Sequence, residues 1–365
     1  MNTAAPASSN RVAQSKALSD FLLRLEAHVK RYLSARSDGD EQNDHLRHVA
    51  DRTRWLYFSE LQRTQGKEIT QSISRHDSEL IDACVLSHDM GKWVSREELR
   101  AFAPEDEAAF LPIVRELRLL PNQIELLLLG IRRRLALAED GYTAEYDAAH
   151  HLVSAFALVA DPELQFHQLE LADQERLIDM IIGHQFGSYF KERLFQISLR
   201  DDTVTTGILV DISRPERVAG DVLACAFHDA DISDLLYVGS LERRPNREDI
   251  LHSGGLIKIL LINFNLLAFA VPDGPRTLEE CLQSCQFTVT TASREFMTVT
   301  AMANGVKWRQ RATTFLDYLR EPESIARFEA LLHDQSKPPQ ERVRALRLLT
   351  SLRAREFLRR TEGQH

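Results

Sequence analysis

The sequence is poor in several features that would each announce a class of protein. Its four cysteines, Cys84, Cys225, Cys281 and Cys285, form no CxxC pair and lie in apolar, helix-like surroundings. They suggest neither a disulfide framework nor a cysteine-based metal site, and are read as reduced core residues in a reducing compartment. No glycine-rich phosphate loop is present, which removes the commonest cradle for a nucleotide. Positive charge is not in excess: the formal net charge of −9 argues against a general basic surface, so nucleic acid is not the favoured partner. A membrane span is not expected. The most apolar stretch, residues 256–271, is interrupted by Lys258, Asn263 and Asn265 and is shorter than the roughly 20 residues a spanning helix needs. Residues 1–19 are polar and rich in Ala and Ser, with no apolar run of the signal-peptide kind. They are expected to be a disordered tail, and the protein to be cytoplasmic. No internal repeat is visible.

What is present is an ordinary globular composition. With 365 residues, 44% of them hydrophobic and 27% charged, the chain can fold around its own core without staples. Leu18, Phe21, Leu22, Leu25, Val29 and Leu33 recur at helical spacing, and similar periodicity returns through most of the chain. Pro104, Pro112 and Pro121 are expected to break it. The fold class is therefore all-α, with one exception. Residues 195–199 and 203–212 are β-branched, partly alternating and separated by Asp201-Asp202, which predicts a small β-hairpin insertion. The expected division is a main helical domain over 20–240 and a helical region over 241–365. Within the latter, residues 340–360 set Val343, Leu346, Leu349 and Leu352 among seven arginines. This is an amphipathic helix for packing on the domain or in a homo-oligomer interface, with contact to nucleic acid or a membrane surface as the lesser alternative.

One stretch carries chemistry. Val85-Leu86-Ser87-His88-Asp89-Met90-Gly91-Lys92 is an apolar run that stops at a histidine and an aspartate, followed by glycine and lysine. An imidazole beside a carboxylate offers one nitrogen and one oxygen ligand, a set suited to Mn, Fe, Co, Ni or Zn rather than Mg or Ca. Gly91 is expected to end the helix, and Lys92 to place a cation where an anionic group could be held. The dipeptide alone decides little, because His-Asp recurs at His76-Asp77, His228-Asp229 and His333-Asp334.

The order of further elements resembles the HD superfamily of metal-dependent phosphohydrolases. Asp44-His45-Leu46-Arg47-His48-Val49-Ala50 resembles the opening helix of that family and points to His45. The 75–84 stretch matches the start of its second helix, which makes His76-Asp77 a helix N-terminus and leaves His88-Asp89 as the ligand pair. Ala148-Ala149-His150-His151-Leu152-Val153-Ser154-Ala155 resembles the third ligand helix and favours His150 over His151. Ile181-Ile182-Gly183-His184-Gln185 resembles the fourth, and Ala230-Asp231-Ile232-Ser233-Asp234 the closing aspartate, Asp231. The match covers roughly residues 40–240 and is far more specific as a set than in any part.

The resemblance implies a metal set of His45, His88, Asp89, His150, His184 and Asp231, holding two divalent transition-metal ions with Asp89 bridging. It implies that Asp89 and Lys92 serve catalysis and that Lys92 binds a substrate phosphate. Asp234 or Asp229 could hydrogen-bond a ligand histidine from behind, with a solvated acidic loop as the equal alternative. The Arg132-Arg133-Arg134 triplet is read as a solvated helix end, with contact to a substrate phosphate as the lesser alternative. The expected substrate is a small phosphorylated compound, such as a nucleotide, cleaved as a phosphomonoester or phosphodiester. Neither a Gly-Tyr-Pro signature nor an HD-x-x-Glu-Asp run is present, so the subtypes acting on cyclic di-guanylate and guanosine tetraphosphate are not supported. The same ligand order also resembles the superfamily's diiron oxygenases, which stand as the alternative, with a degenerate scaffold as a third.

Overall fold

The most apolar helix of the first half of the chain is also its centre. Every residue from His150 to Val159 is buried, as expected of a helix that is hydrophobic all round. This helix, α7 (His150–Ala160), follows α1 (Ala7–Ser34), α2 (Gly39–Gln65), α3 (Arg75–Ser87), a 3₁₀ turn (Met90–Lys92), α4 (Arg96–Phe102), α5 (Glu107–Glu116) and α6 (Pro121–Ala136). After it come a second 3₁₀ turn (Phe166–Gln168), α8 (Leu171–Gly183) and α9 (Val222–Asp234). The computed structural model describes residues 7–35, 39–65, 73–102, 107–136, 149–184, 218–238, 255–270 and 274–362. Among these the chain is all-α, with no strand. The hairpin expected over 195–212 lies outside the described residues. No helix among them is long and apolar enough to cross a membrane.

The chain forms two compact units, Met1–Ala230 and Asp231–His365. The division therefore falls inside α9, earlier than the expected boundary after residue 240. In the first unit α3 packs on α1, α2 and α8, while α7 is surrounded by the 3₁₀ turn Met90–Lys92 and by α3, α4, α5, α6 and α8. Two local expectations need correction. Helix α1 begins at Ala7 and so extends into the stretch expected to be a disordered tail. Pro112 lies inside α5 rather than ending it. It is exposed, where water can take up the carbonyl that its missing N–H leaves unbonded.

The second unit consists of α10 (Gly255–Ala268), α11 (Leu278–Ala292), α12 (Val299–Leu319), α13 (Pro322–Leu332) and α14 (Pro339–Glu362). The apolar run read as a core helix is α10, which packs on α11 and α14 and buries Leu256, Ile257, Leu260 and Phe264. On α14 the expected stripe needs revision: Leu346 and Leu349 are buried, but Leu352 is 37% exposed and Arg353 takes the inward position with Ala354 and Phe357. A stripe drawn at three-residue steps drifts around a helix of 3.6 residues per turn. By Leu352 it has left the buried face.

Candidate metal centre

Two helices of the first unit end in the same local device. Helix α3 is capped at its C-terminus by His88 and α8 by His184. The last carbonyls of a helix lack partners within it, and each histidine supplies one by reaching back three residues. His88 Nδ1 donates to the Val85 carbonyl at 2.7 Å, and His184 Nδ1 donates to the Ile181 carbonyl. A carbonyl can only accept, so both rings carry a proton on Nδ1 and turn Nε2 toward the cluster. Orientation of a metal-binding imidazole by its second nitrogen follows this pattern. Both helices also bring the negative ends of their dipoles to the same place, which favours a cation.

The side chains converge on Asp89. Its Oδ1 lies 3.4 Å from His150 Nε2, 3.6 Å from His88 Nε2 and 2.8 Å from Lys92 Nζ. Its Oδ2 lies 3.7 Å from His45 Nε2 and, though buried, accepts no hydrogen bond. His150 Nε2 and His184 Nε2 are 3.2 Å apart. Two ligands at about 2.0–2.1 Å from one ion and about 90–110° apart would be separated by about 2.9–3.4 Å, so this spacing suits one edge of a coordination shell as well as a hydrogen bond between the rings.

His88, Asp89 and His184 each offer a ligand atom within 4.8 Å of one another, as do His45, His88 and Asp231, the last on the continuous helix α9. These buried His/Asp groups could hold a metal ion. Burial alone would raise the Asp89 pKa, but Lys92, and then His88, His150 and His45, outweigh it and hold the carboxyl well below its usual range. His150 is shifted well down, first by burial and then by Lys92. The cluster thus gathers imidazoles and a carboxylate in a dry place.

Of the predicted residues, His45, His88, Asp89, Lys92, His150, His184 and Asp231 all belong to this cluster. His151 is fully buried, but its ring centre stands 6.4 Å from that of His184 and 5.8 Å from that of His150. Asp229 accepts from His228 Nδ1 at 3.0 Å. His76-Asp77 forms the start of α3, where Ser74 accepts from the Asp77 N–H and Tyr57 donates to Asp77. Asp334 of the fourth His-Asp pair serves an exposed turn through Ser336 and Lys337. Arg132 is exposed on α6. The Arg133 and Arg134 side chains lie outside the described residues.

Gly91 does something other than end a helix. It lies within the 3₁₀ turn, and it is not among the positive-φ residues. Its need for glycine is steric: a Cβ there would collide with the His150 carbonyl oxygen and stand 2.8 Å from the Ser154 amide nitrogen. Sequence reasoning also missed Phe227. Its ring meets those of His88 and His184 edge-on, with centroids 5.5 and 5.9 Å away, and forms an apolar wall to the cluster. The available signal was its position one helical turn before Asp231.

No family model, no curated protein and no solved structure matches the chain.

Proposed function

We propose that the protein is an HD-type metal-dependent phosphohydrolase with two divalent transition-metal ions. One would be held by His45, His88, Asp89 and Asp231, the other by Asp89, His150 and His184, with Asp89 between them. The observation that carries this reading is the convergence of back-bonded His88 and His184 on a buried carboxylate, with two imidazole nitrogens at coordination-edge spacing. Imidazoles gathered around a buried carboxylate are a set complementary to a cation.

Such ions supply Lewis-acid polarisation of a phosphoryl oxygen and lower the pKa of a coordinated water. The chain's own residues do the rest. Asp89 presents one oxygen toward His45 and the other toward His150, and Phe227 keeps water from one side of the rings. Lys92, with its side chain 30% exposed, is the group that reaches both the buried carboxylate and solvent. It would hold a substrate phosphate as a point charge. The substrate class is a small phosphorylated compound such as a nucleotide.

The test is metal analysis of protein purified without chelator, together with turnover of nucleotide, cyclic-nucleotide and generic phosphoester substrates in the presence of Mn, Fe, Co or Ni. About two metals per chain with phosphoester cleavage is the expected result. Two irons with oxygen consumption and no phosphate release would assign oxygenase chemistry. A metal-free, inactive protein would make the cluster a scaffold.

A further inference from the structure

His150 and Ser154 stand four residues apart on α7 and so share a face. That face receives the 3₁₀ turn Met90–Lys92, and two contacts join the segments. His150 Nε2 lies 3.4 Å from Asp89 Oδ1, and the Gly91 N–H donates to Ser154 Oγ at 2.8 Å. Both ends of the second contact are buried, and Ser154 is fully so. Buried hydroxyls in helices ordinarily bond back to their own helix. Thr53, Ser87 and Thr350 do this, each donating to the carbonyl four residues earlier. The Ser154 hydroxyl instead receives a backbone N–H from a different segment. With no side chain on Gly91 to act as a spacer, that hydrogen bond sets how close the turn sits to the helix.

We infer that Ser154 is a positioning residue for the second metal position: its hydroxyl holds the turn against α7 so that Asp89 comes within reach of the same ion as His150 and His184. The inference rests on the binuclear reading above. Ser154 acts through Gly91 and two residues of backbone, so its loss moves Asp89 relative to His150. The first position shares Asp89, but its other members, His45, His88 and Asp231, do not lie on α7.

The test is Co²⁺ titration of the wild type and of S154A, S154C and H150A, followed by calorimetry and visible absorption. In S154A the second Co²⁺ should bind about 10–100-fold more weakly, the range for partners that orient a ligand, while the first, which shares only Asp89 with it, is weakened less. S154C keeps the shape but is a weaker acceptor and should fall between the two. If S154A fails to fold, S154C carries the test by itself. Amide exchange of the metal-free protein gives a second readout: Gly91 should exchange faster in S154A, with S154C again between.

A second site of wild-type affinity in both variants, or equal weakening of both sites, would overturn the inference. If the wild type and H150A alike take up no Co²⁺, the binuclear reading itself fails and Ser154 has no site to position. If the wild type loads two ions and H150A one, while the Ser154 variants match the wild type, only the role of Ser154 falls.

Discussion

Both compact units bury charged side chains, and they treat them in opposite ways. In the second unit Arg353 is 1% exposed. Its Nη1 donates to Glu356 on the same helix at 2.6 Å, Glu321 and Glu323 stand 3.7 Å away, and its guanidinium lies 4.3 Å from the centre of the Tyr318 ring. Tyr318 in turn donates to the same Glu356 oxygen at 2.9 Å. A cation there meets carboxylates and a ring face, which is what a buried charge needs. In the first unit the imidazoles of His88 and His184 turn Nε2 toward a carboxylate that already lies among other histidines. The first arrangement joins opposite charges, although Nε and Nη2 of Arg353 are buried without a hydrogen bond. The second gathers groups of ligand type around one carboxylate, a set complementary to a cation, so buried polarity points to a site when its members suit the same partner.

Breaking the first-unit cluster should have the largest effect on function and a small one on folding. His88→Ala or Asp89→Ala should weaken metal retention more than ~100-fold, beyond what loss of an outer partner causes. Activity should go with it, while metal analysis beside thermal unfolding shows the fold kept. A fully metallated, active mutant would sink the site assignment. The second-unit network should behave in reverse. Arg353→Met keeps the buried stem and removes the charge, and should cost about 1–3 kcal/mol in denaturant unfolding with metal content unchanged. Lost metal in that variant would mean that the contrast drawn between the units is false.

A smaller effect is expected at the base of α9, within the first unit. Arg176 donates to both oxygens of Asp221 at 2.6 and 2.8 Å. Burial works to raise the Asp221 pKa, but the Arg176 hydrogen bonds, its charge and two backbone N–H groups prevail and lower it. A carboxyl depressed in the folded state lends stability that is present above its unfolded pKa and is lost as pH falls through the folded value. The wild type should therefore lose about 1 kcal/mol relative to Asp221→Asn as pH drops below about 4. Parallel unfolding curves for the two proteins from neutral pH down through that range would refute the linkage. The smallest effect belongs to Leu348→Gln on α14. Leu348 is 55% exposed, and the change should stay within about 0.5 kcal/mol. A larger loss in unfolding free energy would show that this face of α14 is covered.

The helices were legible because each needs only its own neighbours in sequence. Apolar spacing in α1 is such a signal of which face is buried; the caps Ser74, Thr277 and Thr298, equally local, were not read and emerge from the structure. The type of each cluster member was legible too, since a histidine at the end of an apolar run stands out. Less accessible were Gly91, read as a helix stop, and Leu352, placed on a buried stripe. Their roles depend on what packs against them, not on the residues beside them.

The deeper division lies between residue order and facing direction. From order alone came an all-helical chain, a histidine and an aspartate at the close of α3, and a series of later histidines able to join them. Folding supplied their convergence. His150 and His151 are neighbours of the same type, and the chain offers little to choose between them. Consecutive helix positions point about 100° apart, and the packing of the 3₁₀ turn on α7 puts His150 beside Asp89 and His184. Side-chain chemistry is carried by each residue wherever it stands. The distances that turn it into a site exist only once separate helices are packed against one another.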